Sequence, residues 1–151
     1  MDVDGFFTRL NPLIRALLRS PLHFLASKGL MVLSVTGRKS GRSFSFPVGY
    51  QREGGTLTVL VSEARRKQWW RNLRQPAPVG LVLRGRERTG TGQLVAPGSD
   101  LFYRSVELTM QRVPGMARVF HTEYDRAAGL SEAQRAHLKD GVAVVRISLD
   151  A

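Results

Sequence analysis

The sequence contains no cysteine. That excludes disulfides, thiolate nucleophiles and cysteine metal sites, and fits a cytoplasmic protein. Histidine is nearly as scarce. His23, His121 and His137 fall in three different segments with no metal-type spacing. They read as surface or capping residues, and no metal is expected. No apolar run approaches the ~20 residues of a membrane span. The opening residues, Met1-Asp2-Val3-Asp4, are acidic where a secretory signal would be basic. GxSxG, HExxH, Walker and GxGxxG patterns are missing, so hydrolase, metalloprotease and dinucleotide-fold chemistries lack support. An enzyme of this composition would leave its chemistry to a bound cofactor.

Acidic residues are short as well: 12 Asp+Glu face 23 Lys+Arg, for a formal net charge of +11. The imbalance is local. Between Arg38 and Arg88 there are twelve Lys/Arg and three acids, Glu53, Glu63 and Glu87. A polyanionic partner is implied, whether nucleic acid, an anionic membrane or an anionic cofactor. With 151 residues the chain reads as one domain, 1–151, large enough to bury a core.

Asn11-Pro12 and Ser20-Pro21 read as N-caps with proline at the first helical position, predicting helices over 12–19 and 21–28. Phe6, Phe7, Leu10, Leu13, Ile14, Leu17 and Leu18 form an apolar stripe, with Arg9, Arg15 and Arg19 beside it. Either the stripe packs on the domain, or it rests on an anionic membrane surface at the inner face of the cell membrane.

Strand-like runs follow at 30–35, 44–50, 56–62, 79–83 and 88–95, with turn signals at Glu53-Gly54-Gly55 and Gly85. Gly90 and Gly92 predict a bulged or strongly curved strand. Ser99 caps a helix to about Arg112, Pro114-Gly115 breaks it, and a second helical piece runs toward Tyr124. Ser131 and Gln134 match a capping box before a helix to Lys139. Asp140-Gly141 then turns the chain into a last strand, 142–149. About six antiparallel strands, N-terminal helices and a helical insertion before the last strand predict an α+β, mainly β domain. Its hairpins and curving glycines favour a small barrel.

Thr36-Gly37-Arg38-Lys39-Ser40-Gly41-Arg42 joins the first two strands. Glycines frame three polar residues, and the fixed cations sit at one end of the sheet. The loop is a cradle for phosphate or carboxylate, or else a solvated basic turn. Trp69-Trp70 is the second informative pair. Adjacent helical residues face directions about 100° apart, so one can pack inward while the other lines a cleft; alternatively both cap the core. Arg65, Arg66, Lys67, Arg71 and Arg74 surround them, which suits a planar anionic ligand or single-stranded nucleic acid.

The ordered set Thr36 to Arg42, Pro47-Val48, Ser62 and Trp69-Trp70-Arg71-Asn72-Leu73 resembles the deazaflavin-dependent nitroreductase family, which are split β-barrels. The likeness runs from about Ser20 to Val95 and returns in the final strand. It implies reduced coenzyme F-420 as hydride donor, with FMN as the alternative cofactor. It implies that Arg38, Lys39 and Ser40 hold the tail phosphate; Arg42, Arg65, Arg66 or Lys67 would reach the tail from other positions. Phe44, Ser45, Phe46, Pro47, Val48 and Gly49 would run along the ring system. Leu60, Val61, Ser62, Gln68, Trp69, Trp70, Arg71 and Asn72 would close around the ring and ribityl chain. Ser62-Glu63-Ala64-Arg65 is shorter than the Lys-Gly-Gly-like loop common in the family.

The resulting expectation is a reductase moving a hydride to a small electron-poor acceptor: a quinone, nitroaromatic or activated alkene. Ser62 and Tyr124 are the catalytic candidates, with Tyr103 a further hydrogen-bond donor for charge developing on the acceptor. The alternatives are a non-catalytic carrier of a planar anionic ligand and, ranked last, a nucleic-acid-binding barrel, which would need an aromatic ladder on a strand. The assembly is expected to be a monomer or homodimer.

Overall fold

In the computed structural model, which describes residues 29–113 and 115–151, the alternating runs become seven antiparallel strands. They are β1 (Leu30–Thr36), β2 (Ser43–Gly49), β3 (Gln51–Glu53), β4 (Thr56–Val61), β5 (Ala77–Leu83), β6 (Arg86–Leu94) and β7 (Ala143–Leu149). The order across the sheet is β2-β1-β5-β6-β7-β4-β3. The two end strands, β2 and β3, are separated in the chain by Tyr50 alone. One bent run therefore pairs with β1 at one edge and with β4 at the other. The sheet rolls up on itself, leaving a split along that run: a split β-barrel.

Seven strands stand where about six were expected. The excess comes from this bend. Before Tyr50 the backbone pairs with β1, from Ser43↔Thr36 to Gly49↔Leu30; after it, Gln51 to Glu53 pair with β4. Tyr50 belongs to neither ladder, and its N–H donates to the Gly29 carbonyl at 3.1 Å.

Period-two alternation fixes which side chains go inside. Leu33 and Val35 of β1, Leu57, Val59 and Val61 of β4, Val79, Leu81 and Leu83 of β5, and Val145 and Ile147 of β7 fill the barrel. Val144 points the other way, into a second core with Val95, Phe102, Val106, Met110, Phe120, Leu138 and Val142. Each fully buried aliphatic side chain contributes ~1.5–3 kcal/mol. The barrel is thus filled with side chains, and ligand space must lie at its rim.

The second core is built by the helical insertion: α1 (Asp100–Arg112), the single turn α2 (Met116–Val119) and α3 (Glu132–Gly141). Ser99 caps α1, its hydroxyl accepting from Phe102 N–H at 3.2 Å. Phe102, Val106 and Met110 follow at helical spacing and face the outer side of β7. Ser131 and Gln134 form the expected capping box on α3. Two expectations change here. The piece after Pro114-Gly115 is one turn and stops at Val119, well short of Tyr124. Asp140-Gly141 is not a turn: α3 runs through Gly141, and Val142 N–H still donates to the Leu138 carbonyl. The predicted helices 12–19 and 21–28, the apolar stripe and His23 lie outside the described residues. Among the described residues no helix is long and apolar enough to cross a membrane.

Gly90 and Gly92 serve close approach, not a bulge. The β5–β6 ladder is unbroken from Ala77↔Gly92 to Leu83↔Arg86, and the β6–β7 ladder from Gly90↔Leu149 to Leu94↔Val145. A Cβ on Gly90 would lie 2.6 Å from the Ser148 carbonyl oxygen; one on Gly92 would press on Leu73 and Val79. Gly90→Ala is therefore expected to cost ~1–3 kcal/mol, because the obstructing atom is backbone and cannot swing away. Gly92→Ala, obstructed only by side chains, should cost less. Urea denaturation of the two variants checks this order.

Candidate functional site

The loop between β1 and β2 is closed by its own backbone. Gly37 N–H donates to the Arg42 carbonyl at 2.7 Å, and Gly41 N–H to the Gly37 carbonyl at 2.9 Å. Gly41 has φ +70°, the left-handed region glycine occupies without strain. Gly37 is constrained by space: a Cβ there would lie 3.0 Å from both the Phe44 ring and the Ser40 hydroxyl. This closure holds Arg38, Lys39 and Ser40 together on the loop's exposed side.

A residue far along the chain fixes the loop's position. Asn72 Oδ1 accepts from the Arg38 backbone N–H at 2.9 Å and from Arg38 Nη1 at 3.1 Å. Asn72 Nδ2 donates to the Trp69 carbonyl at 3.0 Å. One side chain thus ties the cationic loop to the 3-10 turn Trp69–Leu73. The charged partner makes the Arg38 contact stronger than a neutral hydrogen bond.

Between loop and turn lies a cavity of about 470 Å³. Arg38, Lys39 and Ser40 form one wall, Phe44, Phe46 and Trp69 another, and Lys67, Gln68 and Asn72 complete it. Among the described residues three cations line it and no acid does. The Phe46 and Trp69 rings lie 4.9 Å apart, tilted by 46°. Phe44 is 47% exposed, a large apolar surface left open at the cavity's edge. An aromatic wall beside a cationic one is suited to a planar group attached to an anion.

The two tryptophans divide their roles. Trp69 lines the cavity. Trp70 does not: its indole N–H donates to the Ala64 carbonyl at 2.9 Å, and the Arg71 and Arg74 guanidinium groups lie 5.4 and 5.8 Å from its ring. Arg71 Nε is buried without a hydrogen-bond partner.

A second cavity, of about 560 Å³, opens on the outer side of β4. The bend Gly49-Tyr50-Gln51-Arg52 forms one side, Thr58, Leu60 and Ser62 the floor, and Thr109, Val113, Met116, Val119 and Phe120 of the helical insertion the roof. Arg84, from the β5–β6 turn, stands at its margin. One contact links the two linings: Lys67 Nζ, of the first, lies 3.5 Å from Ser62 Oγ, of the second.

The structure thus gathers Arg38, Lys39, Ser40, Phe44, Phe46, Gln68, Trp69 and Asn72 around the first cavity, and Gly49, Leu60 and Ser62 around the second. The remaining candidates line neither. Val61 is buried in the barrel. Ser45 Oγ bonds Ser34 Oγ at 2.8 Å. Pro47 and Val48 pair with Val32 and Met31 within the sheet, and Arg42 lies exposed at the loop's end. Tyr124 packs beside α1, its hydroxyl accepting from Gln111 Nε2 at 2.8 Å. Tyr103 is engaged with Arg135, donating to its carbonyl at 3.2 Å under a guanidinium 4.6 Å from the ring. Sequence reasoning missed the roof of the second cavity and Arg84. Nothing in the local pattern of α1 tells which strand it covers; Arg84-Gly85, a turn pair with an arginine where asparagine is usual, was the readable signal.

The described residues form a split barrel that carries a cationic, aromatic-walled cleft. Residues 21–126 match the model of the F420H(2)-dependent quinone reductase family, and the chain belongs to that family of deazaflavin-dependent reductases. A search of curated proteins finds no match. Among solved structures, an F420-H2 dependent reductase, FDR-A, is similar at TM-score 0.55 and 14% identity, over 80% of this chain and 95% of the other. A domain-swapped dimer aligns at TM-score 0.55 and 14% identity over 81% of each chain. HutZ, the heme storage protein from Vibrio cholerae, aligns at TM-score 0.51 and 13% identity over 89% and 91%. At these identities the likeness is one of fold.

The division between the tryptophans is measurable. A planar ligand entering the first cavity should quench the emission of Trp70→Phe, which retains Trp69. Trp69→Phe should show little quenching. Equal quenching in both variants would contradict the assignment.

Proposed function

We propose that this protein transfers a hydride from reduced deazaflavin coenzyme F-420 to a quinone-type acceptor. The cofactor would lie in the first cavity and the acceptor in the second. The observation that carries the reading is the Lys67–Ser62 contact between the linings of two unlike cavities. One is cationic and aromatic; the other has an apolar floor and roof. The residues present fit the cofactor: three cations, unopposed by an acid among the described residues, line the cavity together with three aromatic rings.

Bound, the reduced deazaflavin supplies the hydride. The protein's work is to hold and orient. Arg38, Lys39 and Ser40 bind the phosphate, with Arg38 preset by Asn72. Phe44, Phe46 and Trp69 would cover the planar ring and exclude water from it. Hydride transfer needs donor and acceptor carbons within ~3–3.5 Å, so the juncture of the cavities is where the reacting atoms belong. The Ser62 hydroxyl stands there and can donate to an acceptor oxygen as negative charge builds on it. Leu60, Val113, Met116, Val119 and Phe120 provide the apolar surface for the acceptor's ring.

The test is titration of the protein with reduced and oxidised F-420 and with FMN, followed by turnover with a quinone. Charge-assisted bonds to phosphate contribute roughly 1.5–3 kcal/mol each. Arg38→Ala should therefore weaken F-420 binding about tenfold or more, and the loss should shrink as salt rises. Ser62→Ala should lower kcat while leaving F-420 affinity unchanged. Unaltered affinity in a folded Arg38→Ala protein would return the loop to a solvated turn. Preference for FMN would change the cofactor.

A further inference from the structure

We propose that Arg52 and Arg84 form an anion-binding subsite in the second cavity, selecting acceptors that carry a negative charge beside their electron-poor ring. The proposal rests on the reading of that cavity as the acceptor site. It adds a substrate class: acidic quinones, bearing a carboxylate, sulfonate or ionised hydroxyl, over neutral ones.

The first argument is the composition of the cavity wall. Its apolar residues suffice for a neutral ring, and Ser62 and Thr109 add hydroxyls. Among the described residues two arginines also line it, and no acid does. The acids adjoining the lining residues Arg52 and Ser62 are not part of the lining, and each lies near a side chain of the helical insertion or the segment after it. Glu53 Oε1 lies 3.6 Å from Arg112 Nη2, and Glu63 Oε1 lies 3.9 Å from His121 Nε2. Among the described residues Arg52 bonds through its Nε alone, donating to the Gly54 carbonyl at 2.9 Å, and its terminal nitrogens take no partner there. The Arg84 side chain makes no hydrogen bond or ion pair among the described residues. A cleft with apolar walls and cations of one sign at its edge concentrates anions. Guanidinium forks match the paired oxygens of carboxylate and sulfonate.

The second argument is backbone conformation. Arg84 has φ +51° and Gly85 φ +76° in the two-residue turn between Leu83 and Arg86. Both central residues of such a turn need positive φ, and Asn-Gly is the favoured pair. Arginine there is strained. Glu63 and His121 are the other non-glycine residues with positive φ among the described residues. Each directly follows a residue lining this same cavity, Ser62 and Phe120. Strained positions gather where a site over-determines the backbone. Here strain is spent on placing a cation at the cavity's margin, where asparagine would have made the easier turn.

The cofactor's anionic tail is the competing source of negative charge for these arginines. The first cavity already offers Arg38, Lys39 and Lys67 for it, and the experiment separates the two.

Turnover with reduced F-420 is measured on menadione, which is neutral, and naphthoquinone sulfonate, which is anionic. The comparison is wild type against Arg84→Asn, Arg52→Gln and, as a control lining neither cavity, Arg126→Gln. Arg84→Asn installs the favoured turn pair, so loss of fold is not expected. The ratio of kcat/KM for sulfonate over menadione should fall about tenfold in Arg84→Asn and Arg52→Gln, with menadione turnover little changed, and should stay constant in Arg126→Gln. An unchanged ratio in Arg84→Asn overturns the proposal. So does an equal fall in Arg126→Gln, which would mark a general effect of net charge. A fall in F-420 affinity in Arg84→Asn, with the ratio unmoved, assigns the arginines to the tail and also overturns it. Calorimetric titration with naphthoquinone sulfonate keeps the subsite separate from the turnover reading. If neither quinone is reduced, the proposed function fails; the subsite then stands only if wild type binds the sulfonate about tenfold more tightly than Arg84→Asn, and falls otherwise.

Discussion

One stretch of backbone, Ser43 to Glu53, has to serve both ends of a single sheet. Its first half pairs with β1 and its second with β4. A flat sheet cannot satisfy that demand, because its end strands lie far apart. A rolled sheet can, and the bend at Tyr50 is where the roll closes. Both cavities hang on this run. Phe44 and Phe46, before the bend, wall the first; Gly49 to Arg52, at and after it, wall the second. The distance between the two binding spaces is therefore fixed by a few residues of continuous chain.

Electrostatics act on top of that frame. The excess of cations is concentrated near the cavities and is held in place locally. Asn72 spends its carbonyl oxygen on Arg38, so the loop does not have to order itself when a ligand arrives. Ordering a long cationic side chain costs conformational entropy, and a side chain already held has met that cost in folding. The surface pairs Arg65–Asp140 and Glu53–Arg112 do less for stability, since exposed ion pairs contribute little. Glu53–Arg112 and Glu63–His121 do, however, join the helical insertion to strand ends on either side of the second cavity.

The first cavity was legible in the sequence because its parts carry local signals. Gly37 and Gly41 mark a closed loop, Arg38 and Lys39 mark its charge, and the doublet Trp69-Trp70 marks a turn with two different faces. The strands were legible from alternation, and α1 and α3 from Ser99 and the Ser131–Gln134 box. Three things were not. A strand that bends looks like one strand followed by a turn, because alternation says nothing about which partner each half takes. Gly90 and Gly92 suggest a bulged or strongly curved strand; the Ser148 carbonyl that makes Gly90 a point of close approach is brought in from the other end of the chain. Tyr124 looked available for chemistry as a lone tyrosine after a predicted helix. The short α2 leaves it beside α1, bonded to Gln111.

The same contrast separates the two cavities by origin. The first is lined by residues within 37–72, two neighbouring pieces of chain tied by one asparagine. The second takes residues from the β2–β3 bend, β4, the β5–β6 turn and the helical insertion, spanning 29–120. A change in Val113, Met116 or Val119 alters the roof of the second cavity and touches nothing in the first. A change in Arg38 or Asn72 does the reverse. Lys67 of the first and Ser62 of the second touch each other and so link the two linings. The fold therefore lets the lining of the second cavity vary while that of the first stays fixed, except at the Lys67–Ser62 contact, where a change in one side chain is felt by the other.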